Sequence, residues 1–196
     1  MLASQMILLF TAVADLLLGV FVYAQNGSRA QNRQFAVFSL NLALWALGTL
    51  GVVCAHTAET ADAMIRFTSY VAILIPTTYF LLCEAITEPT FTFKSAVRKR
   101  WFFFAANQFF ASLCFLPGFL VDVQMAPANA GTSILLPEAQ YGPLFPLYNA
   151  FFIVGFPWIL LNFVRRMRQA SGLQRAELQY VMLGILISLG IGIPTN

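Results

Sequence analysis

Charge is what this sequence has least of. Only 10% of its 196 residues are Asp, Glu, Lys or Arg, while 59% belong to the hydrophobic set. A water-soluble domain carries about a quarter charged residues, so the deficit excludes that class and places the chain in a membrane. Histidine is reduced to His56, with no Cys or carboxylate at metal-ligand spacing, which argues against a zinc or other metal site. Lysine is reduced to Lys94 and Lys99, so no apolar run carries a Schiff-base lysine. The three cysteines, Cys54, Cys83 and Cys114, are too few for a disulfide framework and read as inert buried thiols. No Gly-rich nucleotide loop, Ser/His/Asp set or catalytic carboxylate pair occurs. The chain is therefore expected to catalyse nothing by itself and to hold no cofactor. A basic run interleaved with aromatics is missing too, and nucleic acid is not an expected partner.

What is present is apolar sequence in long runs. Six stretches approach the ~20 residues that cross a bilayer as a helix: residues 6–23, 35–53, 67–86, 101–121, 144–163 and 178–193. They must be helical, because lipid cannot satisfy a bare backbone. The expected fold is an all-α integral membrane bundle of about six transmembrane helices, one domain over residues 1–196. The first run is not a signal peptide on this reading, since no Lys or Arg precedes it and Asp15 lies inside it.

The basic residues are unevenly placed. The first loop holds Arg29 and Arg33, the third Lys94, Arg98, Lys99 and Arg100, and the fifth Arg165, Arg166, Arg168 and Arg175; the even loops hold only Arg66. Lys and Arg stay cytoplasmic, which predicts odd loops inside and the N-terminus outside. In the long fourth loop, Leu120 to Met125 alternates, Ala126 to Gly131 is turn-rich, and Thr132 to Leu136 is β-prone. That pattern predicts a short outer β-hairpin between spans four and five, the alternative being an irregular loop.

Polar residues inside the runs are the candidate functional groups, because an ionisable group in lipid is costly. Asp15 lies ~12 Å from the inner edge of its span and Asn41 ~9 Å, with Asn107 and Gln108 at similar depth. These four are expected to share one polar layer, in which Asp15 meets Asn41 or Asn107. Such a layer is either a switchable network or hydrogen-bonded glue between helices. Trp45 shares a face with Asn41 and Gly48, as packing or as part of a ligand cage, and Gly48 permits close helix approach. Glu84 is expected to anchor at the inner interface or on a basic residue. Arg66 follows Asp62 at ion-pair spacing; otherwise it faces an outer ligand. Pro76 and Pro157 interrupt the third and fifth runs as kinks or hinges. Tyr141, Phe145 and Tyr148, with Pro143 and Pro146, suggest an apolar outer wall of the kind small ligands use.

Several of these segments together resemble the N-terminal seven-transmembrane sensor region of bacterial histidine kinases. They are the second run from Phe35 through Asn41 and Trp45 to Gly48, and Arg66 followed by Pro76, Tyr79 and Phe80. The stretch Tyr141-Gly142-Pro143-Leu144-Phe145-Pro146-Leu147-Tyr148 belongs with them. So do Arg165 to Tyr180 and the closing Pro194 and Asn196. The resemblance covers essentially the whole chain. It implies a multi-pass protein of the bacterial cytoplasmic membrane, the input module of a two-component system, read here as a fragment ending before a seventh span. The implied partners are membrane lipid, a small or lipophilic ligand of unknown identity, a kinase domain in cis and a response regulator, with a homodimer open to it. Two alternatives stand beside it: a small-solute transporter or permease, and the same sensor feeding a cyclic-dinucleotide enzyme. The transporter is weakened by the lack of matched Gly/Pro-broken spans in the two halves.

Overall fold

A computed structural model describes residues 2–88, 90–127 and 135–192. The chain runs α1 (Leu2–Gln25), α2 (Ala30–Val53), α3 (Ala58–Thr87), α4 (Phe93–Lys99), α5 (Trp101–Leu113), β1 (Leu120–Pro127), β2 (Leu135–Tyr141), α6 (Phe145–Gln169) and α7 (Gly172–Gly192). Helices dominate, and α1, α2, α3 and α6 are long and apolar enough to cross a membrane. Much of their surface is bare hydrocarbon. Phe10, Leu17 and Phe21 on α1 and Ile153, Val154 and Leu161 on α6 are exposed, as faces solvated by lipid would be.

α3 is the axis of the bundle. Its N-cap Thr57 accepts from the Thr60 amide, and it then stays helical for 30 residues, about 45 Å. α2 lies close along it because Gly48 has no side chain: a Cβ there would fall 2.5 Å from Thr68 Oγ1. α1 packs on the other side of α2 through Ala12 and Gly19, both buried.

Two core clusters share α3. The one at the hairpin end, called outer after the expected topology, gathers Ala61, Ile65 and Ile73 of α3 with Ala111, Cys114, Phe119, Leu120, Val123, Tyr148 and Phe151. The inner one gathers Tyr79, Leu82, Cys83 and Ile86 of α3 with Ile159 and Phe163 of α6 and Leu178 of α7. Pro76 lies on α3 between them.

The run at 101–121 does not form one membrane-length helix. α5 has 13 residues, ~20 Å of helix against a hydrocarbon core of ~30 Å. Pro117 and Gly118 account for its early end, since Pro disfavours helix at the preceding residue and Gly resists it. Turns carry the chain to β1. The hairpin is present, but its second strand is Leu135–Tyr141, later than the β-prone stretch at 132–136, of which residues 132–134 lie outside the described region. The strands pair antiparallel from Leu120↔Tyr141 to Pro127↔Leu135, with an irregularity between Leu120 and Asp122. Leu120 and Val123 are buried and Asp122 and Gln124 exposed, so the irregularity resets which side chains reach the bundle. Gly142 then closes on the turn: its amide donates to the Phe119 carbonyl at 2.9 Å, and a Cβ there would fall 2.2 Å from the Gly118 carbonyl oxygen.

Candidate functional site

The sequence's candidate residues fall into three separate constellations, strung along α3 from its outer to its inner end. At the outer end Arg66 meets Asp62 and three backbone carbonyls. Its Nε donates to Asp62 Oδ2 at 2.8 Å. One terminal nitrogen donates to the carbonyls of Cys114 and Leu116, both at 3.0 Å, and the other reaches the Leu120 carbonyl at 3.4 Å. They belong to the C-cap of α5, the turn that follows it and the first residue of β1. Arg66 is thus a latch between α3, the end of α5 and the hairpin, with four of its five N–H groups turned to protein acceptors.

Tyr141, Phe145 and Tyr148 do come together, around a residue that sequence reading missed. Phe119 is wholly buried and its ring lies 6.2, 5.7 and 5.2 Å from theirs. Tyr141 and Phe145 stack at 3.7 Å, and the Tyr148 hydroxyl donates to the Ser69 carbonyl of α3 at 2.8 Å. Phe119 fills the space behind these rings, with Tyr148 buried and Phe145 partly buried against it. Tyr141 alone of the three is more than a third exposed, and partial burial raises its phenol above the usual value. The Pro117-Gly118 break was the available signal for Phe119, because a bulky aromatic just after a helix stop has a turn to plug.

At the middle of α3, Pro76 lacks an amide and so leaves the Ala72 carbonyl without its helical partner. Two asparagines bind α3 beside this break. Asn107 of α5, buried, donates to the Ile73 carbonyl at 2.6 Å, and Asn41 of α2, also buried, reaches Thr78 Oγ1 at 3.4 Å. Thr78 in turn donates back to the Leu74 and Ile75 carbonyls. The single polar layer is not what forms. Asp15 is half-buried and makes no hydrogen bond or ion pair among the described residues, Gln108 is exposed, and Asn41 and Asn107 each serve α3 instead of one another. Spacing along a helix does not fix which way a residue faces: α2 and α5 turn Asn41 and Asn107 toward the proline break, whereas Asp15 and Gln108 make no hydrogen bond there. Trp45 is half-buried, and its carbonyl accepts from Thr49. Pro157 is exposed on an α6 that stays helical around it.

At the inner end, Glu84 is paired with Arg166 of α6, which also donates to Thr87 Oγ1 at 3.0 Å. Lys99 of α4 lies 3.8 Å from Glu88, and Arg29 lies 4.0 Å from Glu177 of α7. Through these contacts the three basic loops converge on one end of the bundle, opposite the Arg66 latch. Cys83 and Cys114 are buried as expected, but Cys54 is exposed at the C-terminus of α2, where its sulfur accepts from Gln5. His56 sits exposed in the adjoining α2–α3 turn, and no group of three metal-binding side chains occurs among the described residues.

No protein-family model, curated protein or solved structure matches this chain.

Proposed function

We propose that this chain is the membrane-embedded input module of a bacterial two-component sensor histidine kinase. It would lie in the cytoplasmic membrane as about six spans, N-terminus outside. The observation that carries the reading is the course of α3. From Arg66 to Glu84 it covers ~27 Å, nearly the thickness of the hydrocarbon core. Its outer end is latched to the hairpin, its inner end is paired to the base of α6, and Pro76 lies between two core clusters. A stimulus at the outer hairpin that favours one position of α3 over another would reach the Arg165–Arg175 segment through the Glu84–Arg166 pair. It does so only in proportion to its differential affinity for the two states. The convergence of the three basic loops on one end supports the proposed orientation, since the positive-inside rule then acts on all of them together. α5 would cross as a short helix extended by its turn, with Arg66 holding carbonyls of its C-cap and that turn. Irregular backbone at membrane depth is tolerated only where protein buries it.

The test of function is the reading frame beyond Asn196. The proposal requires one more apolar span and then a helical linker with a histidine-centred phosphoacceptor box; a frame without them overturns it. Solute flux through proteoliposomes of the purified chain would instead establish the transporter. Orientation is tested separately by impermeant thiol labelling of intact cells. Cys54 should label from outside and a Ser95→Cys variant lacking Cys54 should not; the reverse pattern overturns the orientation.

A further inference from the structure

The basic end of the bundle holds a cavity of about 320 Å³ lined by Glu84, Glu88, Ala96, Lys99, Arg100 and Arg166. Its charges are not balanced. Arg166 is occupied by Glu84 and Thr87, and Lys99 is loosely matched to Glu88 at 3.8 Å. Arg100 makes no ion pair or hydrogen bond through its side chain among the described residues. One positive charge is therefore left over in the lining. Its position makes the excess worse: Arg100 is the N-cap of α5, a place that favours Ser, Thr, Asp or Asn, and no side chain caps that helix. A cation at the positive end of a helix is unfavourable unless an anion joins it. α4, which Arg100 also closes, has only seven residues and little dipole to offset this.

We propose that this cavity binds the headgroup phosphate of an anionic phospholipid, held by Arg100 and Lys99 with Arg166 as its floor. A phosphodiester carries one negative charge, which matches the one left over. The surroundings supply the rest of a lipid site. Phe93, Trp101 and Phe102, flanking the basic stretch, are all exposed, the aromatic signature of a membrane interface. Basic pockets between membrane helices take acidic headgroups in this way. The inference needs the chain to sit in a bilayer and is independent of any signalling role.

The test is native mass spectrometry of the full chain in neutral detergent, titrated with short-chain phosphatidylglycerol, with phosphatidylcholine and with inorganic phosphate. Phosphatidylglycerol should bind more tightly than phosphatidylcholine, and millimolar inorganic phosphate should not displace it. Arg100→Gln should weaken phosphatidylglycerol about five-fold, the effect of one interfacial cation, and Lys99→Gln should act similarly. Arg100→Lys should retain most of the affinity. Arg98→Gln, which removes a charge from α4 outside the cavity lining, should change it less than two-fold. Equal losses in the Arg98 and Arg100 variants would reduce the effect to diffuse charge and overturn the site. Equal binding of the two lipids would do the same. Displacement by inorganic phosphate would reassign the cavity to a free anion.

Discussion

Removing Arg66 should open the outer end of the bundle and leave the inner end closed. Its side chain is 18% exposed, and its two carbonyl bonds at 3.0 Å tie α3 to the turn after α5. Hydrogen bonds to a charged donor contribute about 1.5–3 kcal/mol each when their acceptors are otherwise buried. Water reaches part of this end, and polar groups of the opened state find other partners, so each contributes about 0.8 kcal/mol here. The exposed i,i+4 pair with Asp62 adds only about 0.3–0.5 kcal/mol. Arg66→Ala should therefore destabilise the α3–α5 junction by about 2 kcal/mol. Arg66→Lys should cost about half as much, because one ammonium cannot reach Asp62 and both carbonyls, and Asp62→Asn should cost least.

Two buried thiols report where the opening occurs. Cys114 supplies one of the carbonyls that Arg66 holds and belongs to the outer cluster, whereas Cys83 lies in the inner one. In a Cys54→Ser background, alkylation of each in the folded state measures its local opening equilibrium. A loss of about 2 kcal/mol corresponds to roughly 30-fold. Cys114 should be alkylated faster by about that factor in Arg66→Ala, with Cys83 nearly unchanged. Equal acceleration of both thiols, or Cys114 within three-fold of the parent, would refute the latch. A larger effect from Asp62→Asn than from Arg66→Ala would show that the ion pair matters and the carbonyls do not.

Three further outcomes are expected. Glu84→Gln and Arg166→Gln should each destabilise the chain by about 2–3 kcal/mol, since each strands a largely buried partner. The double variant should recover at least 1 kcal/mol of the summed loss in a thermal-unfolding cycle, and strict additivity would remove the pair from the account. Asn107→Leu should cost about 1 kcal/mol and Asn41→Leu less, following their 2.6 and 3.4 Å bonds; the opposite order in detergent unfolding would contradict the bracing of Pro76. Gly48→Ala should destabilise by about 1–3 kcal/mol through overpacking against Thr68. Gly155→Ala, whose Cβ would meet only Phe151 at 3.6 Å, should be nearly neutral by the same measurement.

The elements that obey a single local rule were legible in the sequence. Apolar runs located α1, α2, α3 and α6, alternation located β1, and i,i+4 spacing paired Asp62 with Arg66. Residues that answer to a neighbour were not. Arg66 could be assigned to Asp62 but not to carbonyls about 50 positions later, because nothing in its own segment records where α5 stops. The depth argument for Asp15, Asn41, Asn107 and Gln108 fixed height along the membrane normal and left azimuth undetermined. Azimuth is what separates buried Asn107 from exposed Gln108, adjacent in sequence. The aromatic wall was incomplete for a related reason: Tyr141, Phe145 and Tyr148 were read as a lining without the Phe119 packed behind it.

The way the polar groups are used bears on the choice between sensor and transporter. A solute path needs polar atoms left free along one line through the bundle, as in the broken helices of transporters. Here the donors at membrane depth are committed to α3 or to its neighbours' backbone: Arg66 to the end of α5, Tyr148 to Ser69, Asn107 to Ile73, and Asn41 to Thr78. The hydroxyls of Thr68, Thr77 and Tyr79 are buried without hydrogen-bond partners among the described residues, but all three are on α3, Thr68 abuts Gly48 of α2 nine positions from Thr77, and the Tyr79 ring packs between those of Phe38 and Phe163. Three hydroxyls on one helix, without a facing polar wall from another, do not make a path. What the commitments do make is a central helix fastened to a different neighbour at each level, with its one proline between the upper and lower fastenings. Such a helix resists translation at either end alone and yields most easily by bending at Pro76. A bend there would change the angle between the hairpin end and the Glu84–Arg166 end without opening a channel, which is the motion the proposed sensor reading requires and a transporter reading does not.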